Sequence, residues 1–377
     1  MRKIEVSRSS PAYASYRAAS VRSMFNVTEV EGAKFSASVG IPDDTDDWKI
    51  GCIVGASGTG KTSIGSQIWN TGIHNGFDWD SDKPIIDQIG DDFNNATAVL
   101  SSVGLGSVPS WLRPYHVLSN GEKFRADLAR VLSVKPDRIV IDEFTSVLDR
   151  QVALIGSSAF SKAWKRTGGK CVILSCHYDI LDYLQPDWVL DTATWELQRG
   201  CLWQRPNINL EIYSTDSKPW REVFEKHHYL KLPLPVAPNY YVGVADGNPV
   251  CHICATTGSG FKYARLTRLV VHPEWQGAGV GMVFLNTVAS WWKRGYNRYH
   301  YPMNGIIHTS HPGLIAALSR SKYWKLHSSQ MGGSDKKRSR ATIAKSQKAR
   351  ANCGYGGHFR AVAGFKYMGG FDAEIPS

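Results

Sequence analysis

Three short apolar runs, Cys52-Ile53-Val54, Arg138-Ile139-Val140-Ile141 and Cys171-Val172-Ile173-Leu174, are each followed by polar loop residues and separated by helical patterns. Buried, β-rich runs alternating with helices predict a largely parallel sheet in residues 1–205. Between the first two runs, Phe124, Leu128, Val131 and Leu132 recur at helical spacing, which predicts an amphipathic helix. The polar stretch Gln204-Arg205-Pro206-Asn207-Ile208-Asn209 reads as a linker. A second α/β pattern begins near Tyr213 and is interrupted by a loop with Pro233, Pro235 and Pro238. A strand over Arg268 to Val271 then leads through a glycine-rich loop into a helix from Met282 to Trp292. Two domains are expected, 1–205 and 206–377, the second carrying a basic loop at 330–350 with seven Lys and Arg against Asp335 alone.

Composition adds limits. Hydrophobic residues make up 42% and charged residues 20%, the profile of folded domains rather than a disordered or membrane chain. No apolar run reaches the ~18–20 residues of a bilayer span, and the start Met1 to Arg8 has no secretory core, which places the protein in the cytoplasm. Seven scattered cysteines fit reduced thiols. The formal net charge of +11 divides into −3 for residues 1–200 and +14 for residues 201–377. An excess confined to one domain points to a polyanionic partner, with nucleic acid ahead of simple solubilising charge.

The loop after the first apolar run, Gly55-Ala56-Ser57-Gly58-Thr59-Gly60-Lys61-Thr62, fits G-x-x-x-x-G-K-[ST] between a strand and a helix beginning near Thr62. Its glycines let backbone amides turn inward around a phosphate, Lys61 reaches the β/γ oxygens, and Thr62 with Ser63 stands at the helix start, the Thr62 hydroxyl being a magnesium ligand. Further along come Leu118-Ser119-Asn120-Gly121-Glu122, then Ile139-Val140-Ile141-Asp142-Glu143, then Ser146-Val147-Leu148-Asp149, and His177 just past a strand. In this order the segments resemble the motifs of ABC ATPases. The resemblance covers about 150 residues. It implies that Gly55, Ser57, Gly58, Gly60, Lys61, Thr62, Ser63 and Gln88 bind ATP, that Asp142 holds magnesium, and that Glu143 polarises the attacking water. It further implies an ATP-dependent head-to-tail homodimer, in which Ser119, Gly121 and Asp149 complete the site of a second copy, with His177 as the switch histidine. The signature departs from the family at Asn120 and Glu122. Only about 56 residues separate Lys61 from Leu118, so the insertion that docks a transporter's membrane domain is short, and a transporter role is disfavoured.

The string Arg268-Leu269-Val270-Val271-His272-Pro273-Glu274-Trp275-Gln276-Gly277-Ala278-Gly279-Val280-Gly281 presents loop amides at a helix start, an anion cradle. It resembles motif A of the GNAT superfamily of N-acyltransferases. That resemblance implies that Val271, Gln276, Gly277, Ala278, Gly279 and Gly281 hold the pyrophosphate of acyl-CoA, acetyl-CoA being the expected form. The whole chain resembles fusions of an ABC ATPase with an acyltransferase. The expected fold class is therefore α/β, an ABC-type P-loop ATPase domain followed by a GNAT-like mixed α/β acyltransferase domain. Phe224-Glu225-Lys226-His227-His228-Tyr229, Thr309-Ser310-His311-Pro312 and Gly364-Phe365-Lys366-Tyr367-Met368-Gly369 also resemble segments of phage Mom-type DNA-modification proteins, which modify the amino group of adenine. An acyltransferase needs a base and an acid, for which His228, Tyr229, Ser310, His311 and Tyr367 are candidates, against helix-start and packing roles for the same residues.

Cys251-His252-Ile253-Cys254 lacks a second pair at zinc-finger spacing and reads as a strand with two core cysteines. Trp291, Trp292 and Trp324 are either base-stacking or core, core being favoured. The expected function is an ATPase coupled to acylation of a DNA base amine. The rivals are acylation of a protein or small amine, and a non-catalytic ATP-dependent nucleic-acid clamp.

Overall fold

A computed structural model describes residues 1–9, 15–25, 34–69, 72–200, 203–204, 206–229, 234–258, 260, 262–332 and 360–373. Most of the basic loop expected at 330–350, Arg205 of the expected linker and Pro233 lie outside the described residues. Numbered along the chain, the elements begin with β1 (Arg2–Ser9), α1 (Tyr16–Met24), β2 (Lys34–Ile41), β3 (Ile50–Val54), α2 (Lys61–Ile68) and β4 (Ile73–His74). Next come α3 (Phe93–Ser102), α4 (Val108–Trp111), α5 (Asn120–Val134), β5 (Arg138–Ile141), α6 (Arg150–Trp164) and β6 (Lys170–Ser175). Then follow α7 (Leu181–Leu184), β7 (Trp188–Asp191), β8 (Glu196–Arg199), β9 (Glu211–Thr215), β10 (Asn239–Ala245) and β11 (Asn248–Thr257). The last are β12 (Tyr263–Val271), α8 (Val280–Arg294), β13 (Asn304–Thr309), α9 (Pro312–Arg320), β14 (Trp324–Gly332) and β15 (Arg360–Tyr367). The chain is mixed α/β, as its pattern predicts. Among the described residues no helix is long and apolar enough to cross a membrane.

Two compact units share the chain. The first comprises Met1–Asp78, Lys135–Leu148 and Ser161–Arg205. Its six-stranded sheet has the order β4-β5-β6-β3-β7-β8, parallel except for the β7–β8 pair. The three apolar runs are the neighbours β5, β6 and β3, buried along almost their whole length because both faces of a parallel sheet are covered. The antiparallel pair β1–β2 and helix α2 contribute Ile4, Val6, Val39, Ile41, Ile64 and Ile68 to one core with Ile53, Val140, Val172 and Leu174. Trp48 organises a corner of that core, stacked on Trp69 at 6.1 Å and meeting Trp188 edge-on at 5.5 Å. Gly51 sits on β3 because a Cβ there would lie 2.0 Å from the Trp188 ring.

The second unit comprises Trp79–Val134, Asp149–Phe160 and Pro206–Ser377. It holds a seven-stranded sheet ordered β14-β15-β13-β12-β11-β10-β9. Every neighbouring pair is antiparallel except β12 with β13. That parallel pair is joined by α8, whose Phe284, Leu285, Val288, Ala289 and Trp292 are buried. Trp291, Trp292 and Trp324 are core residues, 3%, 0% and 5% exposed, so none is available to stack on a base. Cys251 and Cys254 are both buried in β11, as expected of a core strand, with a register shift between His252 and Cys254. Trp220 and Phe224 close one side of this part of the sheet over His252, Val242 and Val270.

Candidate functional sites

In the first unit, β3 delivers the chain into the turn Gly55 to Gly60, and α2 begins at Lys61. Gly55, Gly58 and Gly60 have φ of +146°, +81° and +90°, a region that side-chain-bearing residues avoid. Gly60 caps α2 without any side-chain hydrogen bond, so the first-turn amides have no side-chain acceptor and form a site for an anion. Lys61 Nζ folds back over the turn and donates to Gly55 O and Ala56 O, both at 2.7 Å. Beneath the turn, Thr59 and Thr192 hydroxyls meet at 2.6 Å, and Thr192 donates to Val54 O at 3.0 Å.

Asp142 follows β5 and accepts from the Thr62 hydroxyl at 2.8 Å through Oδ2 and from Glu143 N at 2.8 Å through Oδ1. Thr62 and Asp142, 80 residues apart, therefore converge as two oxygen donors, the chemistry magnesium prefers. Glu143 is exposed with φ +49°, a left-handed position uncommon for a residue with a side chain. His177 N donates to Ser175 Oγ, which donates to Phe144 O, linking the ends of β6 and β5. Ser57 is exposed in the turn, and Ser63 O accepts from the Ser66 hydroxyl within α2.

The remaining expected ATP-site residues belong to the second unit and are engaged locally. Ser119 and Glu122 form a reciprocal cap on α5. Ser119 N and Oγ donate to Glu122 Oε2, and Glu122 N donates to Ser119 Oγ. Glu122 also accepts from Ser110 Oγ at 2.5 Å, and these donors hold its carboxyl below the usual range despite burial. The departure from the ABC signature at Glu122 thus has a structural use. Gly121 leaves room for Val152, 3.0 Å from a would-be Cβ. Gln88 spends its amide on Asp80 N, Asp80 O and Lys83 O, closing its own loop. Asp149 accepts from Gln151 N at the start of α6.

The second unit has its own point where parallel strands part. β12 and β13 are in register from Tyr263↔Asn304 to Leu266↔Ile307, after which β12 runs to Val271 and β13 to Thr309 without pairing. The glycine turn into α8 and the Ser310-His311 turn into α9 flank the point where these parallel strands part, and Gly106 lies between the two turns, its N–H donating to Gln276 and its carbonyl meeting His311. Gly279 caps α8 with φ +96°, no side-chain bond and open space around it. Ala278 N donates to Trp275 O, and Gly281 packs under Val271, whose Cγ2 is 2.8 Å from a would-be Cβ.

Part of the expected cradle is already engaged. Gln276 Oε1 accepts from Gly106 N and its Nε2 donates to Val271 O, while Gly277 is packed on Gly104 and Ala159. Gln276 and Gly277 are therefore not open positions, and an anion at this turn is left with the Gly279 side. Arg125, which motif spacing missed, and His311, a transfer candidate, hold the arrangement. Arg125, 3% exposed, donates to Gly104 O, Pro273 O and Glu274 O. His311 Nε2 lies 2.9 Å from Gly106 O, and its Nδ1 accepts from Leu314 N. A carbonyl on one side and an N–H on the other fix the neutral Nε2–H tautomer, and burial pushes its pKa down.

Of the transfer candidates, Ser310 Oγ is buried and makes no hydrogen bond among the described residues. Tyr367 is 1% exposed in the core beside Trp324, its oxygen accepting from Phe371 N. His228 is stacked on Tyr229 at 5.0 Å and touches Trp220. The same segment brings His227 to 5.0 Å from His272. Beside His272 lies a cavity of about 310 Å³ lined by Gln151, Val223, Asp246, His272, Glu274 and Trp275. His272 Nδ1 is 3.8 Å from Glu274 Oε2, and burial lowers its pKa, so it is neutral near pH 7. Motif reading passed over His272 because it stands inside the glycine-loop string.

Curated proteins share short stretches with the chain. An ABC transporter ATP-binding protein of Nostoc sp. is 35% identical over 77 residues, 20% of this chain and 27% of the relative. An aliphatic sulfonates import ATP-binding protein of Paracoccus denitrificans is 34% identical over 90 residues, 24% of this chain and 35% of the relative. The shared stretches are similar to ATP-binding proteins of the ABC type. The chain spans only about a quarter to a third of the length of these ABC-type relatives. No family model matches the chain. Among solved structures, an ATP-binding cassette of an ABC transporter aligns with TM-score 0.33 and 14% identity over 45% of this chain and 85% of that one. The ribosomal-protein-S18-alanine N-acetyltransferase from Escherichia coli aligns with TM-score 0.29 and 12% identity over 44% of this chain and 99% of that one. At these scores neither alignment bears on function.

Proposed function

We propose that the chain hydrolyses ATP at the Gly55–Thr62 turn and couples this to acyl transfer from acyl-CoA to an amine on a DNA base. The observation that carries the first part is the convergence of Lys61, Thr62 and Asp142 on an uncapped helix start. Lys61 exchanges its two carbonyl partners for phosphate oxygens, and Thr62 and Asp142 hold magnesium. Magnesium when bound neutralises charge on the β- and γ-phosphates. Glu143, exposed beside Asp142, orients the attacking water and accepts its proton. Ser119 and Gly121 of a second copy face the γ-phosphate, Ser119 giving up its bond to Glu122. ATP-dependent homodimerisation follows from that arrangement.

The second part is supported by the parting of β12 and β13, the uncapped Gly279 start of α8 and the +14 charge of residues 201–377. The amine nitrogen bonds the thioester carbonyl carbon, the carbon–sulfur bond breaks, the nitrogen loses a proton and the departing thiolate gains one. Neutral His272, near Glu274 at the edge of the cavity, is the best-placed base, and the Ser310 hydroxyl is a donor for the thiolate.

The test is incubation of the full chain with ATP, acyl-labelled acetyl-CoA and duplex DNA, followed by mass analysis of the nucleosides. Label on a base amine that disappears in Gly279→Leu supports the reading. Label only on added protein or small amines sinks the DNA acceptor, and ATP-dependent DNA binding without label anywhere leaves a clamp.

A further inference from the structure

Four neighbouring strands of the second unit, β12, β13, β15 and β14, contain no Asp or Glu. Their register places Arg265, Ile306, Lys366 and Lys325 in one row across the sheet, on one face. The next row is His308, Gly364 and Ser328, with His327 at a bulge between Leu326 and Ser328. The His308 ring lies over Gly364, 2.9 Å from a would-be Cβ, and burial, with Arg265 and His327 nearby, disfavours its protonation. Arg265, His308, Lys325 and His327 are exposed, and Lys366 is half-buried. None of the five is ion-paired with a carboxylate among the described residues. The opposite face is core: Leu266 and Ala289 of α8 pack on Gly305, and Trp324 donates to Asn286 of α8.

Lys325 and Lys366 are direct cross-strand partners, and like charges so placed destabilise a sheet. Three cations, Arg265, Lys325 and Lys366, held on one face without a carboxylate and at a stability cost, call for an anionic occupant. The chain's own sequence between β14 and β15 is itself strongly basic, the wrong sign for an occupant of this face. From β12 to β14 the row spans three strand spacings, roughly 14 Å at 4.7–4.9 Å each. A duplex carries one charge per ~1.7 Å of axis, so such a line meets several phosphates. The row holds no Phe, Tyr or Trp to serve as a stacking platform for a single strand.

We infer that the sheet face carrying Arg265, His308, Lys325, His327 and Lys366 is a docking surface for the phosphate backbone of duplex DNA. The assignment rests on the nucleic-acid reading above and adds where the duplex lies.

The experiment is fluorescence anisotropy of a labelled duplex of about 25 base pairs against the full-length protein and its Lys325→Ala/Lys366→Ala variant, over a salt series. Losing two phosphate contacts should weaken binding at least about tenfold near 0.1 M salt and reduce the slope of log affinity against log salt by about 1.8. ATP hydrolysis should be unchanged, and the melting midpoint equal or higher, because a repulsive pair has gone. Wild-type binding with no change in the variant overturns the surface while leaving DNA binding elsewhere on the chain. Absence of wild-type binding overturns both the surface and the nucleic-acid reading. Tighter binding to single-stranded RNA than to the duplex overturns the choice of occupant.

Discussion

Gln276 and Gly106, 170 residues apart, are joined by a 2.9 Å hydrogen bond from the Gly106 amide to the Gln276 side-chain oxygen. The other end of the same amide donates to Val271 O at 3.1 Å, so one side chain ties the α3–α4 turn to the end of β12. Gln276→Ala removes both bonds and leaves a half-buried amide and carbonyl without partners. The expected loss is about 1–3 kcal/mol in urea unfolding of the full chain. An unchanged midpoint would show that this tie is not formed in solution.

Lys61→Ala and Glu143→Gln separate binding from turnover at the first site. Removing the Lys61 ammonium should abolish nucleotide binding, read with a fluorescent ATP analogue. Glu143→Gln should bind ATP like the wild type while hydrolysis falls by ~10²-fold or more, because the amide cannot take the water's proton. If ATP-loaded Glu143→Gln stays monomeric in light scattering, the proposed dimer is wrong.

Acid should weaken the second unit through its histidines. Burial holds His252 down at about 4 against an ordinary 6.5, so it folds neutral and resists protonation. Its contribution is constant above pH ~6.5 and stability is lost as pH falls from there toward 4, on the order of 3 kcal/mol by the lower end. His311 acts in the same direction, since a proton on Nδ1 would face the Leu314 N–H. His252→Phe should flatten the decline of the melting midpoint between pH 6.5 and 4; an equally steep decline would assign the acid lability elsewhere.

Gly51→Ala places a methyl carbon within 2.0–2.7 Å of three Trp188 ring atoms on the central strand. Overpacking there should cost about 1–3 kcal/mol. Guanidinium unfolding measures it, and Gly51→Ala combined with Trp188→Leu should recover part of the loss.

The Gly55–Thr62 turn was legible because its glycines answer backbone demands that only glycine meets, so sequence and conformation specify each other locally. Asp142 was legible for the same reason, ending a short apolar run. What stayed hidden depends on partners far along the chain. Arg125 occupies the apolar stripe of α5, where a charge signals a buried partner, but only the fold shows that partner to be the carbonyls of Gly104, Pro273 and Glu274. Gly104 and Gly106 read as ordinary loop residues. Thr192 meets Thr59 across 133 residues, with no spacing rule to link them. Borders between the units at Asp78/Trp79 and Val134/Lys135 carry no shift in composition, because contacts rather than linkers define them.

Helix α2 is a rod of eight residues, roughly 12 Å long, with the phosphate turn at one end and Trp69 immediately after the other. Trp69 stacks on Trp48, with Lys170 above that ring at 4.4 Å. A triphosphate that tightens the turn should therefore disturb this indole pair, an outcome read as a change in tryptophan emission during an ATP titration, without attaching a dye.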